Sequence, residues 1–230
     1  LAAAIAFGFS YMLGEGPLFK VTVAHWNLYA LPYFVLLGVL AGINSVYLTK
    51  SVLFFKKHFL NFTSQYYKII AGAAAISIMI LLLPQLYGEG YHALKQNIAG
   101  ANTAVLTPYF ALVLFGILLL KPIITSITLG AGGDGGVFAP GIFIGAFLGL
   151  FLAMVLNTFF NAGVIPLNFM IVGMAAMLSA SIHAPFTALF LVCGLINDYS
   201  LFIPLLIVTL VAKYTAQRIF PYTVYTFAKK

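Results

Sequence analysis

Charged side chains are scarce in this sequence. Only 7% of its 230 residues are Asp, Glu, Lys or Arg, whereas soluble domains carry roughly 25%. Hydrophobic residues make up 63%, and the mean hydropathy is +1.10. Apolar stretches close to the length of about 20 residues that crosses a bilayer recur along the chain. The composition therefore excludes an ordinary soluble domain and predicts an integral membrane protein.

Acidic residues are the rarest charged group, with four against eleven basic ones and a formal net charge of +7. The basic residues lie in short connections, where the positive-inside rule places them at the cytoplasmic face. They form two groups: Lys50, Lys56, Lys57 and Lys68, and then Lys213, Arg218, Lys229 and Lys230. We therefore expect these basic residues to face a lipid bilayer rather than nucleic acid. The chain is expected to be a multi-pass protein of a prokaryotic plasma membrane.

Cysteine is nearly absent as well. The one cysteine, Cys193, lies inside an apolar run. A single cysteine excludes an internal disulfide framework, and we interpret Cys193 as a buried packing residue.

The long apolar runs show no period-two alternation, which favours helices over strands. The predicted segments are 31–55, 67–86, 108–129 (interrupted by Lys121-Pro122), 137–160 and 164–180, followed by pieces separated by Pro185 and Pro204. Residues 87–103 are predicted to form a loop, and residues 1–13 the end of a helix whose start is absent. Several later segments are too short to cross a membrane singly, which is typical of broken helices that meet near its middle.

Glycine is concentrated in the stretch GAGGDGGVFAPG, residues 130–141, just before a membrane-length apolar run. Its G-x-G-x-x-G spacing matches the dinucleotide fingerprint, but that motif requires a preceding strand and a βαβ unit. A second alternative is an intramembrane aspartyl protease, with Asp134 as one aspartate. That chemistry needs two aspartate carboxylates that share a proton. Asp198 is the nearest match to the second of these aspartates.

A third interpretation uses the backbone of the same stretch. A helix that begins after Gly136 leaves its first N–H groups without intrahelical acceptors. These donors, with a macrodipole equivalent to about half a charge, favour an anion. Glycines let an ion approach the backbone, and Pro140 suits the first helical turn. A glycine-rich turn that only lets helices pack closely is the structural alternative.

The stretch GGVFAP resembles the G-x-F-x-P signature of the CLC family of chloride channels and chloride/proton antiporters. Other stretches resemble that family in the same order: LPYFVLLGVLAGINSVYLTK, YGEGYHAL, GMAAMLSASIHAPFTALFLVCGLINDYSLFIPLLI and VYTFAKK. The resemblance implies an all-α integral membrane protein with the broken-helix inverted-repeat fold of that family. Residues 1–230 would form its second repeat only, the C-terminal half of the transmembrane domain, with the N-terminal half absent from the chain.

The resemblance also implies a site. The backbone amides of Val137 and Phe138 would bind the anion, and the hydroxyl of Tyr225 would donate to it. The supporting motif around those amides is Gly135, Gly136, Ala139 and Pro140. Tyr222 is the alternative to Tyr225, because Pro221 could shift the alignment.

The sequence GEGP at residues 14–17 resembles the gating motif of the family, but Glu15 lies in a polar connection and is not expected to be the gate. The implied function is transport of chloride or a similar small anion by a homodimer, as a channel or a proton-coupled exchanger. No cofactor, metal or catalytic residue is expected. The alternatives are a protease-like enzyme and a membrane subunit that transports nothing.

Overall fold

The computed structural model describes residues 12, 18–19, 21, 23, 25–62 and 64–227. Every regular element within these ranges is helical, as predicted. The helices are α1 (Leu31–Leu60), α2 (Gln65–Leu82), α3 (Tyr91–Gly100), α4 (Pro108–Gly130), α5 (Phe138–Phe160), α6 (Pro166–Ile182), α7 (Pro185–Ile196), α8 (Phe202–Ile219) and the short α9 (Val224–Phe227). Nearly all of the helix end predicted for residues 1–13 lies outside the described ranges.

Five helical segments in the described part of the chain are long and apolar enough to cross a membrane. They are Leu28–Leu60, Gln65–Leu82, Pro108–Gly130, Phe138–Phe160 and Phe202–Phe227. The two helices α6 and α7 are shorter, with 17 and 12 residues. His183 separates them in the left-handed conformation, at φ 57°, and Pro185 then begins α7. This break agrees with the prediction of broken helices.

Two proline positions do not act as the sequence suggested. The pair Lys121-Pro122 interrupts the apolar pattern, but α4 continues through it. Pro122 has no N–H to donate to the carbonyl of Leu118, so α4 lacks one backbone hydrogen bond at this point, which membrane helices tolerate. In the next turn Thr125 donates to the Lys121 carbonyl and Ser126 to that of Pro122. Pro204 falls in the first turn of α8, where a proline is tolerated.

The segment predicted as a loop at residues 87–103 contains the helix α3. Gly90 precedes this helix in the left-handed conformation, at φ 87°, which only glycine adopts readily. Leu94 and Ile98, four residues apart on one face, are buried. The segment was misassigned because its polar residues, which occupy the other face, dominate its composition.

The core of the fold is the contact between α5 and α6, whose backbones approach unusually closely. A Cβ added to Gly145 would collide with the carbonyl of Gly173, and one added to Gly149 with that of Phe169. Residues Leu167 to Ser181 of α6 are all buried, because α1, α5, α7 and α8 surround this helix. By contrast, α2 packs mainly on α4 and is largely exposed. The start of α5 is therefore held by the most rigidly packed part of the molecule.

We expect Gly145→Ala to lower the melting temperature of the full-length protein in detergent. The added methyl has no space beside Gly173, and overpacking typically costs about 1–3 kcal/mol. Gly194→Ala is the matched control, since an added Cβ there meets nothing within 4 Å, and alanine has the higher helix propensity. Equal melting temperatures for the two variants would contradict the close approach of the two helices.

Candidate functional site

The helix α5 begins without a cap. Its N-cap residue, Val137, has φ −92° and ψ −1° and provides no side-chain hydrogen bond to the first turn. The first backbone bond of the helix runs from the N–H of Gly141 to the carbonyl of Val137, at 2.9 Å. The N–H groups of Phe138 and Ala139 come before that bond and have no intrahelical acceptor, while Pro140 has no N–H. Unpaired donors thus lie at the start of this helix.

The glycine segment before α5 turns the chain back from the end of α4. The N–H of Ala131 bonds to the carbonyl of Ile127 at 2.7 Å, and that of Gly133 to the carbonyl of Thr128 at 2.9 Å. Gly132 has φ 94°, in the region that favours glycine. A Cβ on Gly133 would lie 2.8 Å from the Thr128 side chain. These two glycines are therefore required by the turn itself.

Tyr225 lies beside this segment. A Cβ built on Gly136 would be 3.6 Å from the hydroxyl oxygen of Tyr225. The space next to Gly136, which a side chain would fill, therefore lies between a phenolic hydroxyl and the first turn of α5. The structure brings the hydroxyl of Tyr225 next to the motif at Val137 and Phe138, residues that are 88 and 87 positions earlier in the chain.

The position of Tyr225 follows from local interactions in α9. The N–H of Thr226 bonds to the hydroxyl of Thr223 at 3.1 Å, and the N–H of Thr223 bonds to the hydroxyl of Thr226 at 2.8 Å. This reciprocal pair is a capping box with threonine in both positions. It fixes the short helix at its start and so directs Tyr225.

Tyr222 has different surroundings. Its ring lies 5.6 Å from that of Phe220 and 5.7 Å from that of Phe227, with both pairs edge-on. The ammonium of Lys50 lies 5.6 Å from the centre of the Phe220 ring. These contacts give Tyr222 a packing role in an aromatic cluster that anchors α9.

Lys121 is the residue near the site whose importance was missed in the sequence. Its side chain is 1% exposed and donates to the carbonyls of Leu86 and Gly88 at 2.9 and 2.7 Å. Its ammonium also lies 4.7 Å from the centre of the Phe143 ring in α5. An ionisable residue inside a membrane helix is rare and commonly functional, which is the signal that could have identified it.

A cavity of about 620 Å³ connects this lysine with the glycine segment. Its walls come from α2, the segment before α3, α4 and the start of α5. The charged and backbone groups that line it include Glu89, Lys121, Asp134, Gly135, Gly136 and Phe138. Two acidic residues and one basic residue therefore line the same cavity as the start of α5.

Two buried hydroxyls lie on another side of the first turn of α5. Ser45 donates to the hydroxyl of Ser181 at 3.2 Å, and Ser181 donates to the Met177 carbonyl at 2.8 Å. The Ser181 oxygen lies 3.9 Å from a Cβ built on Gly141. These serines come from α1 and α6, and nothing in their spacing along the sequence distinguished them.

Of the two remaining sequence hypotheses, the structure describes only the residues of the second. Glu15, the candidate gate, lies outside the described residues. Asp134 lines the cavity, whereas Asp198 lies in the connection between α7 and α8, accepts the N–H of Ser200 at 2.7 Å and is not among the residues lining that cavity.

Comparison with known proteins gives a consistent result. Residues 1–217 match the family described as voltage gated chloride channel. The voltage-gated ClC-type chloride channel ClcB of Escherichia coli is 29% identical over 147 residues, which cover 64% of this chain and 34% of the relative. ClcB of Salmonella typhimurium gives the same identity and coverage. The aligned part thus covers about a third of the length of these curated relatives.

The fold is similar to that of solved transporters. A slow cyanobacterial Cl⁻/H⁺ antiporter matches with a TM-score of 0.76 and 24% identity, over 94% of this chain and 51% of the other. A CLC-type fluoride/proton antiporter has a TM-score of 0.68 and 21% identity over the same shares. The chain therefore spans about half the length of these solved relatives.

We expect Lys121→Met to loosen the segment before α3. The substitution keeps the apolar stem but leaves the carbonyls of Leu86 and Gly88 without their donor, and an unsatisfied buried group costs about 1–3 kcal/mol. Hydrogen exchange measured by mass spectrometry should rise for peptides covering residues 84–90. Lys95→Met, at an exposed position of α3, is the control. Unchanged exchange in Lys121→Met would show that the lysine does not hold this segment.

Proposed function

We propose that this chain, which belongs to the voltage-gated chloride channel (CLC) family, forms part of a pathway that carries chloride or a similar small anion across a membrane. The observation that carries the proposal is the position of the Tyr225 hydroxyl next to Gly136. A neutral O–H donor and the unpaired N–H groups of an uncapped helix start are thereby directed to one space. Such donors stabilise an anion, because each presents a hydrogen with partial positive charge.

The energetics favour transport over permanent binding. A bare anion in a low-dielectric medium faces a desolvation penalty of tens of kcal/mol. The amides of Val137 and Phe138, the helix dipole and the Tyr225 hydroxyl offset that penalty with partial charges only. Because no full positive charge contacts the ion, it can leave as well as enter.

In this proposal the neighbouring residues have supporting roles. Gly135 and Gly136 leave the backbone accessible, Ala139 contributes one more first-turn N–H, and Pro140 favours the start of the helix without adding a donor. The proposal includes no cofactor, metal or catalytic step. Named relatives include a chloride channel, a chloride/proton antiporter and a fluoride/proton antiporter, and these residues would serve the anion in a channel or in an exchanger.

The setting of this pathway is also part of the proposal. The spanning helices support a multi-pass membrane protein, and relatives from Escherichia coli and Salmonella support a bacterial plasma membrane. We further propose that the full-length protein is a homodimer, as the family resemblance implies. Light scattering in detergent should give the mass of two protomers, and the mass of a single protomer would contradict the homodimer.

We expect Tyr225→Phe to weaken chloride binding to the full-length protein about tenfold or more. The change removes one hydrogen bond to a charged partner, worth roughly 1.5–3 kcal/mol, and keeps the ring. Isothermal titration with chloride measures the affinity, and anomalous diffraction from bromide locates the ion. Tyr222→Phe is the matched control, because Tyr222 packs in the aromatic cluster.

The two variants separate the possible outcomes. Weaker binding in Tyr222→Phe with normal binding in Tyr225→Phe would transfer the role to Tyr222. Vesicles that contain the wild-type full-length protein and release no chloride would instead indicate a membrane subunit that does not transport.

Gly136→Ala should also weaken binding, for a steric reason. The new methyl would stand in ordinary contact with the Tyr225 hydroxyl, so the protein should fold, but the methyl would occupy space proposed for the ion. We expect at least a fivefold lower chloride affinity with a nearly unchanged melting temperature. Gly100→Ala, where a Cβ meets nothing within 4 Å, is the control. Wild-type affinity in a folded Gly136→Ala protein would favour a glycine segment that serves packing only.

A further inference from the structure

The cavity beside the glycine segment contains opposing charges. Its lining residues include the basic Lys121 and the acidic Glu89 and Asp134. The whole sequence has only four acidic residues, and at least two of them line this cavity. With both acids ionised, the lining of a cavity next to a proposed anion site carries a net negative charge, which requires an explanation.

The positive charge in this cavity is fixed in place. Lys121 is 1% exposed, and its hydrogen bonds go to the carbonyls of Leu86 and Gly88 rather than to a carboxylate. Its contact with the Phe143 ring joins it to α5, and Gly90 packs so closely on Phe143 that a Cβ would collide with the ring. The hydrogen bonds of the ammonium are therefore used by backbone carbonyls, and its field acts on the cavity at a distance.

The two carboxylates lie on opposite sides of this charge along the chain. Glu89 follows the carbonyls that hold Lys121, and its field reaches neighbouring groups: burial, and secondly the charge of Glu89, raise the pKa of the Tyr91 hydroxyl. Asp134 lies in the glycine segment, three residues before the N-cap of α5. Both side chains are exposed and line the cavity together with Gly135 and Gly136.

We propose that Glu89 and Asp134 offset the fixed charge of Lys121 and thereby lower the affinity of this cavity for anions. This inference rests on the proposed anion function. An uncompensated buried ammonium would attract an anion and slow its departure, whereas two carboxylates on the lining of the same cavity offset that attraction. Anions would then be selected by the donors at the start of α5 and not retained by the lysine.

The test is the chloride affinity of charge-neutralised variants of the full-length protein. A charge about 5–10 Å from an ion in a water-like medium changes its affinity about two- to fourfold. We expect Asp134→Asn and Glu89→Gln each to bind chloride about two- to fourfold more tightly than the wild type. The ionic strength is about 0.02 M, set with an impermeant organic salt. The gain should largely disappear at about 1 M, where the Debye length falls to about 3 Å.

Asp198→Asn is the matched control, since it removes an acid from the connection between α7 and α8 that does not line the cavity. Its chloride affinity should equal that of the wild type at both ionic strengths. Two independent variants keep the test valid if one of them folds poorly.

The possible results separate the inference from the function beneath it. Wild-type protein that binds and transports no chloride would overturn the proposed function. Chloride transport by the wild type, with unchanged or weaker affinity in both variants, would overturn only the charge balance. A gain that persists at high ionic strength would also overturn it, because such a gain would not come from the field of these carboxylates.

Discussion

The structure depends on one constraint, the cost of leaving backbone N–H groups unpaired away from water. In a bilayer each such group costs several kcal/mol. Thr107 reduces this cost for α4 by accepting from the N–H of Phe110. The helix α5 has no such cap at Val137. Its donors are left for something outside the helix, and the glycines before it provide access. Other described helices also begin without a side-chain cap. What distinguishes α5 is the glycine segment before it, with the Tyr225 hydroxyl beside Gly136.

A site made of backbone donors is only as precise as the helix that presents them. The closest helix contact in the fold, where Gly145 and Gly149 of α5 meet Gly173 of α6, lies on the same helix as the proposed site. By contrast, α2 is loosely packed: it is largely exposed and contributes only a wall of the cavity. Close packing is thus concentrated on the helix that carries the proposed site, in keeping with sites built on well-supported elements.

Much of this organisation could be predicted from the sequence, because its signals are local. The long apolar runs gave the spanning helices, and the glycines with Pro140 gave the start of α5. The helix α3 was missed because Leu94 and Ile98 are too few to dominate a polar segment. The helix α4 continues past Pro122 because that residue removes only one of its backbone hydrogen bonds. The meeting of Tyr225 with Gly136 came from the family resemblance, since no local pattern links them. Lys121 could not be interpreted without the fold, because its partners lie 33 and 35 residues earlier.

The chain has eleven basic residues, and none of them lies between Pro122 and Lys213. The glycine segment and all of α5, α6 and α7 therefore contain no lysine or arginine. A contact ion pair with a buried ammonium would hold an anion strongly, because little solvent screens the charges. Amides and a phenol provide weaker, directional donors that a desolvated ion can exchange for water at either end of its path. The hydrogen bonds of Lys121 go to backbone carbonyls, so this ammonium stabilises the fold. The donors beside Gly136, which are proposed to bind the anion, are neutral.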